Sequence, residues 1–344
     1  MNITIACYQS VSLLHGGPRV QALQTKYELE KLGVNVALFS PWEKFSPQKN
    51  DLVHLFSANL GTFHLARVLN EFSVPFVTSS IFFTRRSPVF IKRTVAINNF
   101  FKKLRQGFWT DYVFTQQICQ WSKKVLPNTV DESVLLSEGL GISREKMSII
   151  PNGVEPKFEF GDPLLFKKKY GVDKFILNVG HIGPVRKNVL NLIRALNGID
   201  HPAVIIGKIT KGSYAEQCIR EANRNKNIII IEGLDNDSDM LSSAYAACDV
   251  FVLPSLFETP GIAALEAGLA GAKIVITPYG GTKDYFGSMA VYTEPESVES
   301  IRRGITDSLN KQKNPALKER IKKEYLWSCV AEKTLRVYKE VLGK

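Results

Sequence analysis

The chain has 344 residues, 44% hydrophobic and 22% charged, with a net charge of +11. That length supports two domains with separate cores, and the composition is that of a globular chain, which excludes disordered and fibrous classes. No apolar run approaches the ~18 residues of a membrane span, the start MNITIACYQS lacks a basic leader, and five scattered cysteines without a CxxC suit reduced core residues in the cytoplasm.

In chain order, ITIACY (3–8) reads as a buried strand, and a loop leads to a helix of about 18–32 that Gly33 can cap. The loop carries His15, Gly16, Gly17 and Pro18. Its glycines let backbone approach a phosphate closely, and Pro18 pre-sets the helix start. VNVALFS (34–40), DLVHLFS (51–57) and PFVTSS (75–80) read as further strands, with a helix of about 60–71 before the last. Such alternation gives a parallel sheet. His54 is expected as a satisfied core histidine. Neither GxGxxG nor GxxxxGK[ST] is present, which argues against a dinucleotide oxidoreductase or a P-loop enzyme.

Residues 81–124 hold nine basic side chains, among them Arg85, Arg86, Lys92, Arg93, Lys102, Lys103 and Arg105, against the single acid Asp111. Phe82, Phe83, Phe90, Phe100, Phe101, Phe108 and Trp109 are interleaved with them. The mixture suits an anionic membrane surface or an acidic acceptor, and equally a solvated helix face over core aromatics. Nucleic acid is not expected, because no zinc-finger, RRM-like or helix-turn-helix pattern accompanies the charge.

KKVLPNT (123–129) reads as a strand, 131–141 as a short helix, and Asn152-Gly153 as a turn. Residues 174–197 are again strand, loop and helix, the loop carrying Gly180, His181, Arg186 and Lys187. AVIIG (203–207) and NIIIIEG (227–233) are strand candidates, the second ending at Gly233 and Leu234. Asp235, Asp237 and Asp239 resemble an Asp-x-Asp metal site, but their place between a strand and a helix suits a surface loop with an Asp N-cap. No metal is expected there.

Residues 249–281 are strand (Val250–Leu253), loop (Pro254–Thr259), helix (Pro260–Leu269) and strand (Lys273–Thr277). Glu258 lies on the loop at the strand's carboxyl end and Glu266 inside the helix, in the crevice where open α/β sheets bind ligands. Pro260 suits a first helical turn, and Gly261, Ile262 and Ala263 offer free amides to phosphate or sugar oxygens. Two amphipathic helices close the chain, with Trp327 and Tyr338 as packing anchors.

This two-Glu stretch with its TPYGG turn resembles the donor-sugar site of family 4 glycosyltransferases of the GT-B fold, and the likeness extends weakly over most of the chain. It implies an α/β protein of two Rossmann-like domains facing a central cleft, with the last helix crossing back to the first domain. The IPNGV run at 150–154 resembles the family's domain junction. The expected division is 1–157 plus 326–344 on the acceptor side, and 158–325 for the nucleotide-sugar donor.

By the same resemblance Glu258 lies near the transferred sugar, Glu266 holds the ribose, Lys187 and Arg186 meet the diphosphate, and His181 stands where the family has Arg. Gly16 and Gly17 face the donor phosphate, Gly233 and Leu234 the base, and Gly261 and Ile262 the helix-start oxygens. The family's acceptor-side His is missing from SSIFFTRR, where Ser80, Arg85, Arg86, Lys92 and Arg93 are the acceptor or membrane candidates. The implied activity is retaining, metal-independent transfer from a nucleoside-diphosphate sugar to a glycan, lipid-linked or other hydroxyl. The implied place is the cytoplasm, peripheral on the inner membrane face. The alternatives are a non-catalytic sugar-nucleotide or glycan-binding relative, or a sugar-nucleotide epimerase. If His181 is the phosphate cation, activity should fall as pH rises through its pKa.

Overall fold

The computed structural model describes residues 1–13, 16–103, 110–235 and 238–344, with Lys102 and Lys103 described by backbone alone. Of the residues singled out above, His15, Arg105, Phe108, Trp109 and Asp237 lie outside the described residues, as do the side chains of Lys102 and Lys103.

The elements in order are β1 (Asn2–Ala6), α1 (Gly17–Lys31), β2 (Asn35–Leu38), β3 (Leu52–Phe56), α2 (Leu60–Glu71), β4 (Phe76–Ser79), α3 (Pro88–Lys103), α4 (Asp111–Trp121), α5 (Val130–Val134), α6 (Pro163–Tyr170), β5 (Ile176–Val179), α7 (Val189–Leu196), β6 (Ala203–Ile206), α8 (Ser213–Ala222), β7 (Ile228–Ile231), α9 (Asp239–Ala247), β8 (Val250–Leu253), α10 (Ile262–Leu269), β9 (Lys273–Ile276), α11 (Thr282–Phe286), β10 (Val291–Tyr292), α12 (Val298–Leu309), α13 (Pro315–Glu324) and α14 (Trp327–Leu342). They form two compact units, Met1–Gly153 with Trp327–Lys344, and Val154–Leu326. The changeovers fall after Gly153 and Leu326, where the sequence reading sets them after 157 and 325.

Unit 1 holds a parallel sheet in the order β2-β1-β3-β4. β3 and β4 are buried throughout, as expected of strands covered on both faces. Residues 123–129 are not a strand. They bridge only at Val125, with Thr78 and Met147, although Lys123 and Leu126 donate to the β4 carbonyls of Phe76 and Thr78, so the stretch runs along the sheet edge. α14 packs Trp327, Val330, Ala331, Val337 and Tyr338 into the same core as Ile3, Ile5 and Leu29. A Cβ on Gly153 would stand 2.5 Å from the Trp327 ring, so the Asn-Gly step leaves room for that indole.

His54 is the core histidine its strand position suggests. Its Nδ1 meets the Tyr338 hydroxyl at 2.5 Å, its Nε2 meets Ser79 Oγ at 2.9 Å, and the ring stacks on Phe56. Burial pushes its pKa down to about 3, so the imidazole is neutral.

Unit 2 is a six-stranded parallel sheet in the order β10-β9-β8-β5-β6-β7. α7 buries Val189, Leu190, Leu192, Ile193, Ala195 and Leu196, more than the single face read from Leu190, Ile193 and Leu196. Helices α6 and α8 occupy stretches to which the sequence reading assigned no element. Chain order runs outward from β5 through β6 and β7, then jumps to β8, β9 and β10 on the other side. Loops leaving β5 and β8 therefore diverge to opposite faces, and the crevice between them is the sheet's ligand position.

Tyr338→Phe would leave one buried ring nitrogen of His54 without a partner. We expect a loss of about 1–3 kcal/mol, read as a lower denaturant midpoint at unchanged slope. An unaltered midpoint would show that the bond contributes nothing net.

Candidate functional site

The loops leaving β5 and β8 are stitched together before any side-chain chemistry enters. Leu256 N–H donates to the Arg186 carbonyl at 2.8 Å, and Asn188 Nδ2 donates to the Pro254 carbonyl at 2.9 Å and the Pro295 carbonyl at 2.6 Å. Asn188 is left-handed (φ 55°), a conformation Asn adopts more readily than most residues. It ends the turn Val185–Lys187 and opens α7, so it fixes where the lysine before it points.

Lys187 Nζ then lies 2.6 Å from Glu258 Oε1, Ser255 Oγ donates to the same oxygen at 2.7 Å, and Arg186 Nη1 stands 3.3 Å away. Arg186 also donates to the Phe257 carbonyl at 2.9 Å. All three groups converge on Oε1 of this buried carboxylate. Burial alone would raise the Glu258 pKa, but Lys187 and Arg186 outweigh it and hold the group below the usual range. Two cations against one ionised carboxylate leave a net positive charge.

From below, Glu258 rests on the TPYGG turn. Its N–H donates to the Tyr279 carbonyl at 3.0 Å. Gly280 has φ 97°, and a Cβ there would stand 2.3 Å from the Glu258 carbonyl oxygen. The glycine is thus required twice, by conformation and by contact. Gly207 meets a similar demand, since its Cβ would lie 1.8 Å from the Gly180 carbonyl at the end of β5.

Glu266 lies in α10, buried, and its Oε2 accepts from the Tyr245 hydroxyl at 2.6 Å. Tyr245 is itself buried edge-on to Phe158. Burial pushes the Glu266 pKa up to about 7, against the lowering effect of the Tyr245 bond.

Several sequence expectations change. Pro260 is not in the first helical turn: α10 starts at Ile262, because Gly261 takes φ 74° and interrupts the helical run. The open amides at that helix start are accordingly those of Ile262 and Ala263. At His181 the surroundings disfavour the charged form. Burial, then Lys187 and Lys208, push its pKa below the ordinary histidine value, so it is neutral at pH 7. Ser80 is not free for an acceptor, because its buried hydroxyl donates to Glu132 Oε1 at 2.5 Å. The cap of α9 is Ser238, which accepts from Leu241 N–H, and not one of the neighbouring Asp residues.

The remaining candidates are placed as follows. Gly16 caps α1 in extended conformation and Gly17 is its first residue. Gly233 (φ 68°) turns the chain after β7 with nothing near its absent Cβ, and Leu234 packs on the core below. Arg85, Arg86, Lys92 and Arg93 are exposed before and on α3.

The sequence reading missed Ser255, Asn188, Tyr245 and Glu132. The last accepts from Ser80, from Phe82 N–H at 2.8 Å and from Asn128 N–H at 2.8 Å, and burial pushes its pKa up to about 7. Ser255 could have been found as a polar residue three before Glu258. Tyr245 carried no local signal, since its partner Glu266 lies 21 residues away, whereas Glu132 stands three after the Thr129 cap and four after Asn128.

Residues 165–325 match the family described as glycosyl transferases group 1. This stretch is a group 1 glycosyltransferase domain. It holds Lys187, Glu258 and Glu266. The chain is similar to an uncharacterized glycosyltransferase of Methanocaldococcus jannaschii, 30% identical over 224 residues, which are 58% of this chain and 56% of that protein. It spans about half the length of the curated relatives it matches.

Over 99% of both chains it is similar in fold to a sucrose-phosphate synthase of Thermosynechococcus elongatus, at TM-score 0.77 and 17% identity. A protein of Anabaena solved with UDP and glucose gives TM-score 0.72 at 16% identity, over 97% of this chain and 98% of that one. The fold class is α/β with two Rossmann-like domains, the GT-B class.

The Glu266 pKa yields a stability prediction for the glycosyltransferase domain. A carboxyl raised to about 7 in the folded state stays protonated where the unfolded chain has ionised. Its contribution is complete below about 4.5 and is lost as pH rises through 7. The unfolding free energy of the parent chain should therefore fall across that window by up to about 1.4 kcal/mol per pH unit for each such carboxyl, about 2.8 for Glu266 and Glu132 together. Glu266→Gln should remove roughly half of the fall, Glu132 supplying the rest. Equal slopes in parent and variant would show that Glu266 is ionised throughout.

Proposed function

We propose that the chain is a retaining, metal-independent glycosyltransferase that moves a sugar from a nucleoside-diphosphate sugar to a hydroxyl of a glycan, lipid-linked or other acceptor. The observation that carries this reading is the Lys187–Glu258 pair at the divergence of the β5 and β8 loops, with Arg186 adding the surplus positive charge. UDP and glucose in the Anabaena neighbour support a donor of this class.

The bond that breaks joins the anomeric carbon to a diphosphate oxygen, and the bond that forms joins the same carbon to the acceptor oxygen. The acceptor proton passes to the departing phosphate if attack comes from the leaving-group face, so no enzymic nucleophile is needed. The barrier lies in negative charge gathering on the diphosphate. A cation at about 4 Å supplies on the order of 4 kcal/mol of raw Coulomb energy at an effective dielectric of about 20. Lys187 and Arg186 take that role in place of a metal ion, with the Ile262 amide at the start of α10 and neutral His181 as hydrogen-bond donors. Glu258 holds Lys187 until the donor arrives and then offers its carboxylate to the sugar hydroxyls. Glu266, steadied by Tyr245, accepts from the ribose hydroxyls, and Gly233 and Leu234 lie along the base. Unit 1 serves the acceptor side, and Gly16 and Gly17 at the start of α1 are donor-phosphate candidates. There, a cavity lined by Tyr8, Gln9, Ser10, Leu13 and Gly61 lies where its own β1 and β3 loops diverge.

Lys187→Ala should lower kcat about 10²–10³-fold, the loss expected for one transition-state donor. Glu266→Ala should chiefly raise the donor KM, because ribose contacts persist from ground state to transition state. A thermal-shift screen of UDP and GDP identifies the donor nucleotide, since a ligand at 100 times its Kd adds about 2.7 kcal/mol. Near-normal turnover by Lys187→Ala, or no shift with any nucleoside diphosphate, would refute the reading.

A further inference from the structure

α3 has two faces of different kinds. Its inward stripe is Ile91, Val95 and Asn98, all buried, with Ile91 set against Gly139 so closely that a Cβ there would stand 3.2 Å from it. On the helical wheel Val89, Arg93, Ile97 and Phe100 fall opposite that stripe, flanked by Lys92 on one side and Phe90 on the other. Of these apolar side chains Val89 is 58% exposed, Phe90 46%, Ile97 59% and Phe100 62%. A helix serving only unit 1's core would place polar residues there. Four large apolar groups in water on one helix mark a docking surface.

The charge pattern decides what docks. Arg85, Arg86, Lys92 and Arg93 are exposed around the apolar groups, with the Arg86 guanidinium 5.1 Å from the Phe90 ring centre. The sequence of α3, PVFIKRTVAINNFFKK, contains no acid. A second copy of this basic face would be repelled, and an acidic protein partner would leave the apolar row unexplained. We infer that this face of α3 seats on an anionic lipid bilayer, with Val89, Ile97 and Phe100 entering the acyl boundary and the four cations meeting headgroup phosphates. This surface belongs to unit 1 and does not involve Lys187, Glu258 or Glu266, so it stands whether or not the donor-site reading holds.

A second exposed group tests the assignment. In unit 2, Phe160, Leu164 and Leu165 are exposed beside Lys167, Lys168 and Lys169. There Lys167 is paired with Asp173 at 2.7 Å, and Asp162 caps α6, so the positive charge is partly cancelled.

The experiment is co-sedimentation of the full chain with vesicles of phosphatidylcholine alone, and of phosphatidylcholine with phosphatidylglycerol. Strong, salt-sensitive binding to the anionic vesicles only is the expected result. Lys92→Gln/Arg93→Gln should weaken it about 25-fold, near fivefold per cation. Ile97→Ser/Phe100→Ser should weaken it with an unchanged melting temperature, since both side chains are exposed. Equal binding to the two vesicle types, or parental binding by both variants, would overturn the inference. So would loss of binding only on Lys168→Gln/Lys169→Gln. Lipid-free dimers that Ile97→Ser/Phe100→Ser dissolves would assign the face to a second copy instead.

Discussion

The unit 2 site depends on one constraint: a buried carboxylate must have its charge met, and Glu258 has it met by residues from a different strand. Lys187 arrives from the loop after β5, Ser255 and Glu258 from the loop after β8, and these strands are neighbours in the sheet. An uncompensated carboxylate at that depth would be far costlier than either loop's own preferences. The pair therefore does two things. It closes the loops on each other, and it holds a lysine beside an arginine, although two cations would otherwise drift apart. The stitches from the Leu256 backbone N–H and the Asn188 side-chain amide hold the arrangement before any ligand arrives, which is the condition for electrostatic preorganisation.

Glu266 is handled by the opposite means. No cation approaches closely enough to hold it ionised, and its only described side-chain bond comes from a phenol that is itself buried. Two carboxylates eight positions apart in the chain thus sit in environments that push their pKa values in opposite directions. Such divergence can separate the roles of two carboxylates: Glu258 is held ionised by Lys187 and Arg186, and burial favours the protonated form of Glu266.

Much of this was legible in the residues. The strand–loop–helix pattern around 174–197 and 249–277 placed Lys187, Glu258 and Glu266 on the correct elements, because parallel strands buried on both faces leave long apolar runs. The glycines of TPYGG signalled a constrained turn, though not what constrained it. What could not be read was anything set by contact across the fold. Tyr245 and Asn188 act through partners brought near only by the fold. Pro260 looked like a helix start because its fixed φ suits one, yet the left-handed Gly261 beside it moved the boundary. His181 has an ordinary titration range in isolation; burial beside Lys187 and Lys208 removes its charge. The stretch 123–129 had the β-rich start of a strand, yet it bridges only at Val125 and runs along the sheet edge.

The discontinuity of unit 1 bears on how this chain comes to exist. Its sheet lies within residues 1–153, but α14, which supplies the Tyr338 hydroxyl to His54 and the indole that covers Gly153, is made only after unit 2. On a ribosome the unit begun first must wait, its β1–β3 surface uncovered, while all of unit 2 is synthesised and can fold. Order of completion is thus the reverse of order of appearance. For this chain α14 acts as a latch on unit 1, whose hydrophobic face stays open in the nascent polypeptide until that latch emerges.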